Sequence, residues 1–306
     1  MKTNTKILNY SLSGAVCAGT LLLGASSASA QNMFVGSYGG SDIVEIPTSG
    51  PQTTFASGLN YPNAVAFDSA GDLFALDQVI GTLYEYPTSG PRITINNALS
   101  NPTSIAFDGA GNLFVTSQNN NNILEFAHGG GTPTVFAGGL VAPTALAFNS
   151  AGNLFVANLD GTITKITPTA VESTFASGLG YPDGLAFNSA GNLFVSNGNG
   201  VDTITEITPG GAQTTFASGL NAPIGMAFNS AGNLFVADAG ANHDNGDITE
   251  ITPGGVPTVF STSVSKPLSI AFQGLALPVP EPSTFALLGI GATALLMRRR
   301  IFPAKS

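Results

Sequence analysis

The sequence has almost none of the residues that thiol chemistry, indole stacking or phosphate binding requires. It has one cysteine, Cys17, and no tryptophan. A lone cysteine forms no internal disulfide, and a chain without an indole lacks the side chain best suited to stacking on sugars. Between residues 31 and 277 only Arg92, Lys165 and Lys266 are basic, against 17 acidic residues. Such a surface repels phosphate backbones, which argues against nucleic acid and favours cations or neutral ligands as partners.

The N-terminus has the pattern of a secretory signal peptide. Lys2 and Lys6 precede an apolar stretch over residues 12–23, and the small residues Ala28 and Ala30 place a cleavage site before Gln31. Residues 1–30 are therefore predicted to be removed on export, and Cys17 is removed with them. The exported domain must then be stabilised by its hydrophobic core, for which roughly 245 residues are ample.

The C-terminus carries three ordered elements. The tripeptide Pro280-Glu281-Pro282 is followed by an apolar run over residues 283–297, and then by the cluster Arg298, Arg299 and Arg300. A helix of that length is shorter than the hydrocarbon core of roughly 30 Å. Without the resemblance to any family, this apolar run and its arginines predict a short tail anchor, whose arginines stay on the cytoplasmic side.

This tail resembles the PEP-CTERM sorting signal of Gram-negative bacteria. The resemblance implies that the protein pauses in the inner membrane, with residues 278–306 as its sorting signal and transmembrane helix. It also implies that an exosortase-type transpeptidase cleaves the chain at the motif and releases it to the cell surface or extracellular matrix. The sorting machinery is then a partner, beside an unknown protein or polysaccharide ligand.

A ten-residue block dominates the region between the two signals. AFNSAGNLFV occurs at residues 147–156, 186–195 and 227–236, with looser copies at 66–75 and 106–115. A fixed period of about 40 residues is typical of a repeat architecture. Short runs of Phe, Val, Ile and Thr bounded by Gly, Pro and Asn predict strands, and no helical periodicity is present.

Each unit reads as four short strands, the pattern of a propeller blade. Six prolines mark the starts of first strands: Pro62, Pro102, Pro143, Pro182, Pro223 and Pro267. The last unit stops after one strand, and three strands over residues 33–56 complete it. We therefore predict an all-β, six-bladed β-propeller over residues 31–277 whose N-terminal strands close the ring. An open solenoid is the alternative, but the complementary partial units argue against it.

The block also resembles the NHL-repeat family and its wider gluconolactonase relatives, which are six-bladed. Those enzymes hold one divalent metal in the central channel, with one ligand in a Pro-Asp-Gly motif. The resemblance implies Asp183, in Tyr181-Pro182-Asp183-Gly184, as one metal ligand and Asn63 as a second. Units two and three carry threonine at this position, and units five and six carry apolar residues. A turn or capping role is the structural alternative for both residues.

The loop over residues 238–247 is the most charged of its class. Asp238, Asp244 and Asp247 suit a hard cation such as calcium, although the spacing of an EF-hand loop is absent and a solvated acidic loop is the alternative. The Asp and Asn residues that end second strands recur in most units, so a repeated loop hydrogen bond explains them.

Catalytic groups are scarce. The two histidines, His128 and His243, lie in or beside outer loops, and no Ser-His-Asp arrangement can be assembled. One position of the third strand carries a glutamate in five units, which predicts a solvated strand face. We therefore expect an exported, non-catalytic binding module, with a metal-dependent lactonase or hydrolase as the alternative.

Overall fold

The computed structural model describes residues 31–128, 131–198, 200–240 and 246–274. The predicted signal peptide with Ala28 and Ala30 lies outside these residues, as do the sorting motif and the predicted C-terminal helix. Asp244 and His243 lie outside them as well. Within the described ranges, no helix is long and apolar enough to cross a membrane.

In the described part of the chain, twenty-four strands form six four-stranded antiparallel sheets, which are the six blades of a propeller. A single 3-10 turn, Gln118–Asn120, is the one helical element in the described part of the chain. Blade 1 consists of β4 (Pro62–Phe67), β5 (Leu73–Asp77), β6 (Thr82–Tyr86) and β7 (Ile93–Asn96), and blade 2 of β8 (Ile105–Phe107), β9 (Leu113–Ser117), β10 (Asn122–Phe126) and β11 (Thr134–Gly138). Blade 3 consists of β12 (Pro143–Phe148), β13 (Leu154–Asn158), β14 (Ile163–Ile166) and β15 (Glu172–Ala176), and blade 4 of β16 (Pro182–Phe187), β17 (Leu193–Asn197), β18 (Thr203–Ile207) and β19 (Gln213–Ser218). Blade 5 consists of β20 (Pro223–Phe228), β21 (Leu234–Asp238), β22 (Asp247–Ile251) and β23 (Pro257–Ser261), and blade 6 of β24 (Pro267–Phe272), β1 (Met33–Ser37), β2 (Asp42–Ile46) and β3 (Thr53–Ser57).

Blade 6 joins the two ends of the described chain. Its strand order is β24-β1-β2-β3, so one C-terminal strand pairs with three N-terminal strands. Val35 in β1 lies opposite Ile270 of β24 on one side and Val44 of β2 on the other. The predicted closure is confirmed, because strands from both ends of the described chain share one four-stranded sheet.

The repeated block forms the inner hairpin of each blade. In blade 3 the Asn149 side-chain oxygen accepts hydrogen bonds from the backbone N–H groups of Ala151 and Asn153, at 3.1 and 2.9 Å. Gly152 takes a φ of +75° in the same turn, a conformation that glycine adopts without steric cost. The block therefore specifies its own turn, and blades 4 and 5 repeat these bonds.

The two phenylalanines of the block join neighbouring blades. Phe155 of β13 meets Phe175 of its own blade and Phe187 of the next blade, with ring centroids 4.9 and 5.0 Å apart in edge-to-face geometry. The same arrangement surrounds Phe114 and Phe194. Such aromatic pairs add about 1 kcal/mol each beyond area burial. Packing between blades thus explains why the two phenylalanines recur at the same spacing in each copy of the block.

The first strand of blade 2 begins later than predicted. Five of the six anchor prolines start a strand, but β8 starts at Ile105 rather than at Pro102. The hydroxyl of Thr116 accepts hydrogen bonds from the backbone N–H groups of Thr103 and Ser104, both at 2.8 Å. A side chain therefore replaces the strand ladder at this point.

Candidate functional site

The first strands surround a central cavity of about 310 Å³. The residue after each proline lines it, as the repeat alignment indicates: Asn63, Thr103, Thr144, Asp183, Ile224 and Leu268. Four of these six are polar, and they occupy consecutive blades 1 to 4. The cavity is therefore polar on one side and apolar on the other.

Three of the four polar residues hold neighbouring blades together. The Asn63 amide donates to the carbonyl of Thr103 at 3.1 Å. The Thr103 hydroxyl donates to the carbonyl of Pro143 at 3.0 Å, and the Thr144 hydroxyl to that of Pro182 at 2.6 Å. These contacts stabilise the ring, and they leave the side-chain oxygen of Asn63 available to the cavity.

Asp183 differs from these three residues. Among the described residues, its carboxylate has no hydrogen-bond or ion-pair partner, and burial raises the pKa of this group to about 6. The Oδ2 atom lies against Gly198, where a Cβ atom would come within 2.5 Å of it. Burial also raises the pKa of the Tyr61 phenol, with smaller effects from Tyr38 and Asp183.

Replacing Asp183 by asparagine is expected to stabilise the protein at pH 7. The folded-state pKa of about 6 exceeds the ordinary value of 3.8, so the folded chain holds this proton more tightly than the unfolded chain. Stability then falls as the pH rises from about 4 to 6, and ionised Asp183 costs about 3 kcal/mol. Urea unfolding with chelator present should show Asp183→Asn more stable by that amount at pH 7 and equal to wild type near pH 4. A less stable variant at pH 7 would contradict this.

The polar residues that end second strands tether the loops on this face. The buried Asp77 carboxylate accepts hydrogen bonds from the backbone N–H groups of Asn60 and Tyr61, at 2.7 and 3.3 Å. Asp238 accepts one from Asn221 at 2.6 Å. These are the loop hydrogen bonds that the sequence predicted for this position.

The acidic residues of blade 5 form a separate group. Asp238 pairs with Asp247 in the strand register. Burial raises the pKa of Asp238 to about 6, the Asn221 hydrogen bond lowers it, and the charges of Asp247 and Asp202 raise it. Since Asp244 lies outside the described residues, calcium binding by Asp238, Asp244 and Asp247 stays a prediction.

Metal binding by Asp183 and Asn63 stays a prediction, and the described residues offer few further ligands. They contain no group of three histidine, cysteine, aspartate or glutamate side chains that could hold an ion. The cavity offers one carboxylate, Asp183, and one amide oxygen, Asn63, whereas catalytic sites typically use three protein ligands. We therefore derive no metal chemistry for the channel.

The third-strand glutamates have structural partners. Glu45, Glu206 and Glu250 each accept a hydrogen bond of 2.6 Å from an asparagine amide. They occupy the same position in separate blades, opposite the second-strand phenylalanine. Because these glutamates lie in separate blades, no two of them form a catalytic pair.

A rim of paired residues surrounds the channel entrance. In each blade, the backbone N–H of the residue after the second strand donates to the carbonyl of the residue before the anchor proline, at 3.0 to 3.4 Å. The six pairs, donor first, are Gln78–Tyr61, Gln118–Asn101, Leu159–Ala142, Gly198–Tyr181, Ala239–Ala222 and Tyr38–Lys266. No expectation from the sequence brought these twelve positions together, although aligning the units on their prolines would have shown how much they vary.

The C-terminal residues of the chain match a family model for a sorting signal. The family model for the PEP-CTERM protein-sorting motif matches residues 278–300. The chain carries a PEP-CTERM sorting signal. This signal is recognised by exosortase and implies export across the inner membrane to the cell surface of a Gram-negative bacterium.

Solved structures with the same architecture include lyases and a gluconolactonase. A streptogramin B lyase has 18% identity and a TM-score of 0.64, over 79% of this chain and 84% of its own. Virginiamycin B lyase from Staphylococcus aureus has 16% identity and a TM-score of 0.57, over 68% and 73%. A gluconolactonase from Xanthomonas campestris has 18% identity and a TM-score of 0.58, over 68% and 77%. At these identities the likeness shows the fold alone. No curated protein sequence matches the chain.

Proposed function

We propose that the chain is an exported, non-catalytic binding module that presents the polar channel face of its propeller to a ligand outside the inner membrane. In this proposal residues 1–30 direct export. The tail is cut at Pro280-Glu281-Pro282, and residues 31–277 reach the cell surface or extracellular matrix. The ligand is a protein or polysaccharide of that surface.

The main support is the state of the polar groups on the channel face. Asn63, Thr103 and Thr144 donate to backbone carbonyls of the next blade, and Asp77 and Asp238 accept from loop N–H groups. Groups held in this way are fixed in position, which favours recognition, because a rigid surface loses little conformational freedom on binding.

The test is binding of the exported chain to cells that lack its gene. The chain is purified after export from cells grown on radiolabelled amino acids, and is added to intact deletion cells. We expect saturable retention at the cell surface, which unlabelled chain displaces. Retention that rises linearly with concentration and is not displaced would contradict a binding module.

A second candidate, a metal-dependent lactonase or hydrolase, is favoured by Asp183 alone. Its carboxylate is unpartnered among the described residues and has a pKa of about 6, which is a feature of functional groups. Bound metal and lactone hydrolysis are measured on the exported chain and on Asp183→Ala. Metal and activity that are both lost in the variant would favour the enzyme; a metal-free, inactive wild type would remove it.

A further inference from the structure

The rim divides into two unlike halves. In blades 6, 1 and 2 the six rim residues are aromatic, amide-bearing or cationic: Lys266, Tyr38, Tyr61, Gln78, Asn101 and Gln118. In blades 3, 4 and 5 the sixth residue is Tyr181, and the other five are aliphatic residues or glycine: Leu159, Ala142, Gly198, Ala239 and Ala222. The ten-residue block is identical in three units, whereas these rim positions differ between blades. We call the first set the rim crescent.

The amides of the rim crescent form a continuous chain. Gln78 Nε2 donates to Asn101 Oδ1 at 2.8 Å, and Asn101 Nδ2 donates to Gln118 Oε1 at 2.5 Å. A primary amide has two N–H donors and an oxygen with two lone pairs. Within the described residues, the chain leaves both N–H groups of Gln118 and the oxygen of Gln78 for a ligand. The mutual hydrogen bonds hold these groups in one orientation before binding.

An aromatic pair continues the rim crescent from Gln78. The rings of Tyr38 and Tyr61 lie 4.5 Å apart at an interplanar angle of 41°, and Lys266 Nζ lies 5.2 Å from the Tyr38 ring centroid. Tyr38 is 39% exposed. Tyr61 and Gln78 also line the central cavity, so the rim crescent opens directly into the channel.

We propose that the rim crescent binds a segment of a neutral glycan. Sugar hydroxyls both donate and accept hydrogen bonds, so they match amides that offer free N–H groups and oxygens side by side. The apolar C–H faces of a sugar ring suit an exposed tyrosine ring, which combines an apolar body with a polar tip. This inference rests on the proposed binding function and names its ligand class.

The charges near the rim crescent favour a neutral ligand over an acidic one. Its single cation, Lys266, lies over the Tyr38 ring, while Asp183 faces the same cavity. The whole chain has a formal net charge of −9, which repels polyanions at long range.

The test is isothermal titration of the exported chain with neutral hexasaccharides: maltohexaose, cellohexaose and mannohexaose, with hexagalacturonate as the acidic comparison. The main variant combines Gln78→Leu with Gln118→Leu, since leucine occupies the same rim position in blade 3. The matched control is Leu159→Gln. Gln118→Glu is a second variant, which keeps the shape of the side chain and removes its N–H donors. Thermal melting verifies that each variant is folded.

We expect at least one neutral hexasaccharide to bind. The double variant should weaken this binding about tenfold or more, because each lost hydrogen bond is worth up to about tenfold. Gln118→Glu should also weaken it, and Leu159→Gln should leave it unchanged.

The inference is overturned if no neutral hexasaccharide binds at millimolar concentration, if only hexagalacturonate binds, or if the folded variants bind as well as wild type. Any of these results, combined with saturable binding to cells, would exclude a neutral glycan as the ligand and would leave the proposed binding function in place. Loss of cell binding as well would remove both.

Discussion

Replacing Val35 by aspartate is expected to destabilise the ring strongly at neutral pH. Val35 is fully buried in β1, between Ile270 of β24 and Val44 of β2. An aspartate there would place an unpaired carboxylate in the contact that closes the propeller, at a cost of about 4 kcal/mol or more. In a domain of this size that corresponds to a fall in melting temperature of about 10 °C or more. Circular dichroism melts measure it.

The matched control is Val135→Asp. Val135 lies in the outer strand β11 and is 62% exposed, so a carboxylate at this position stays in water and the melting temperature should change little. If Val35→Asp melted within a few degrees of wild type, closure by the N-terminal strands would not stabilise the ring.

Asp77→Ala is expected to destabilise the protein by about 2–4 kcal/mol, because two backbone N–H groups would lose their acceptor. Asp77 is fully buried, and its carboxylate holds the loop that carries Asn60 and Tyr61. The same substitution should weaken ligand binding at the rim, because it releases Tyr61. Urea unfolding measures the first effect, and the binding assay measures the second.

Asp77→Asn is the conservative comparison. Asparagine ends the second strand in blades 3 and 4, as Asn158 and Asn197. The Asn158 oxygen accepts from the N–H of Val141, at 3.4 Å, whereas the Asn197 oxygen has no hydrogen-bond partner among the described residues. We expect Asp77→Asn to recover most of the stability lost in Asp77→Ala. Equal losses in the two variants would show that the loop hydrogen bonds contribute little.

Much of the fold could be predicted because the same sequence pattern occurs several times along the chain. The AFNSAGNLFV block gives the turn, the two inner strands and the period, and the incomplete units at residues 33–56 and 267–272 indicate closure. The start of β8 could not be predicted in this way. It depends on a hydroxyl, that of Thr116, which replaces the strand ladder at Thr103 and Ser104.

The candidate site was harder to predict because its members are distant in sequence. The position after each proline lines the cavity in all six blades, as the resemblance implied for Asp183 and Asn63. The amide chain, however, joins Gln78, Asn101 and Gln118 across two blades, and no local pattern marks those residues. Whether a polar residue such as Asn63 faces a ligand or a carbonyl of the next blade depends on blade spacing, which the sequence does not contain.

The most direct test of this account asks whether specificity lies in the variable rim and not in the repeated hairpin. Retention of the exported chain on gene-deletion cells is measured for wild type, for Gln78→Leu combined with Gln118→Leu, and for Leu159→Gln. We predict that the double variant loses most of its retention while Leu159→Gln matches wild type. If the folded double variant is retained as well as wild type, specificity does not lie in the rim.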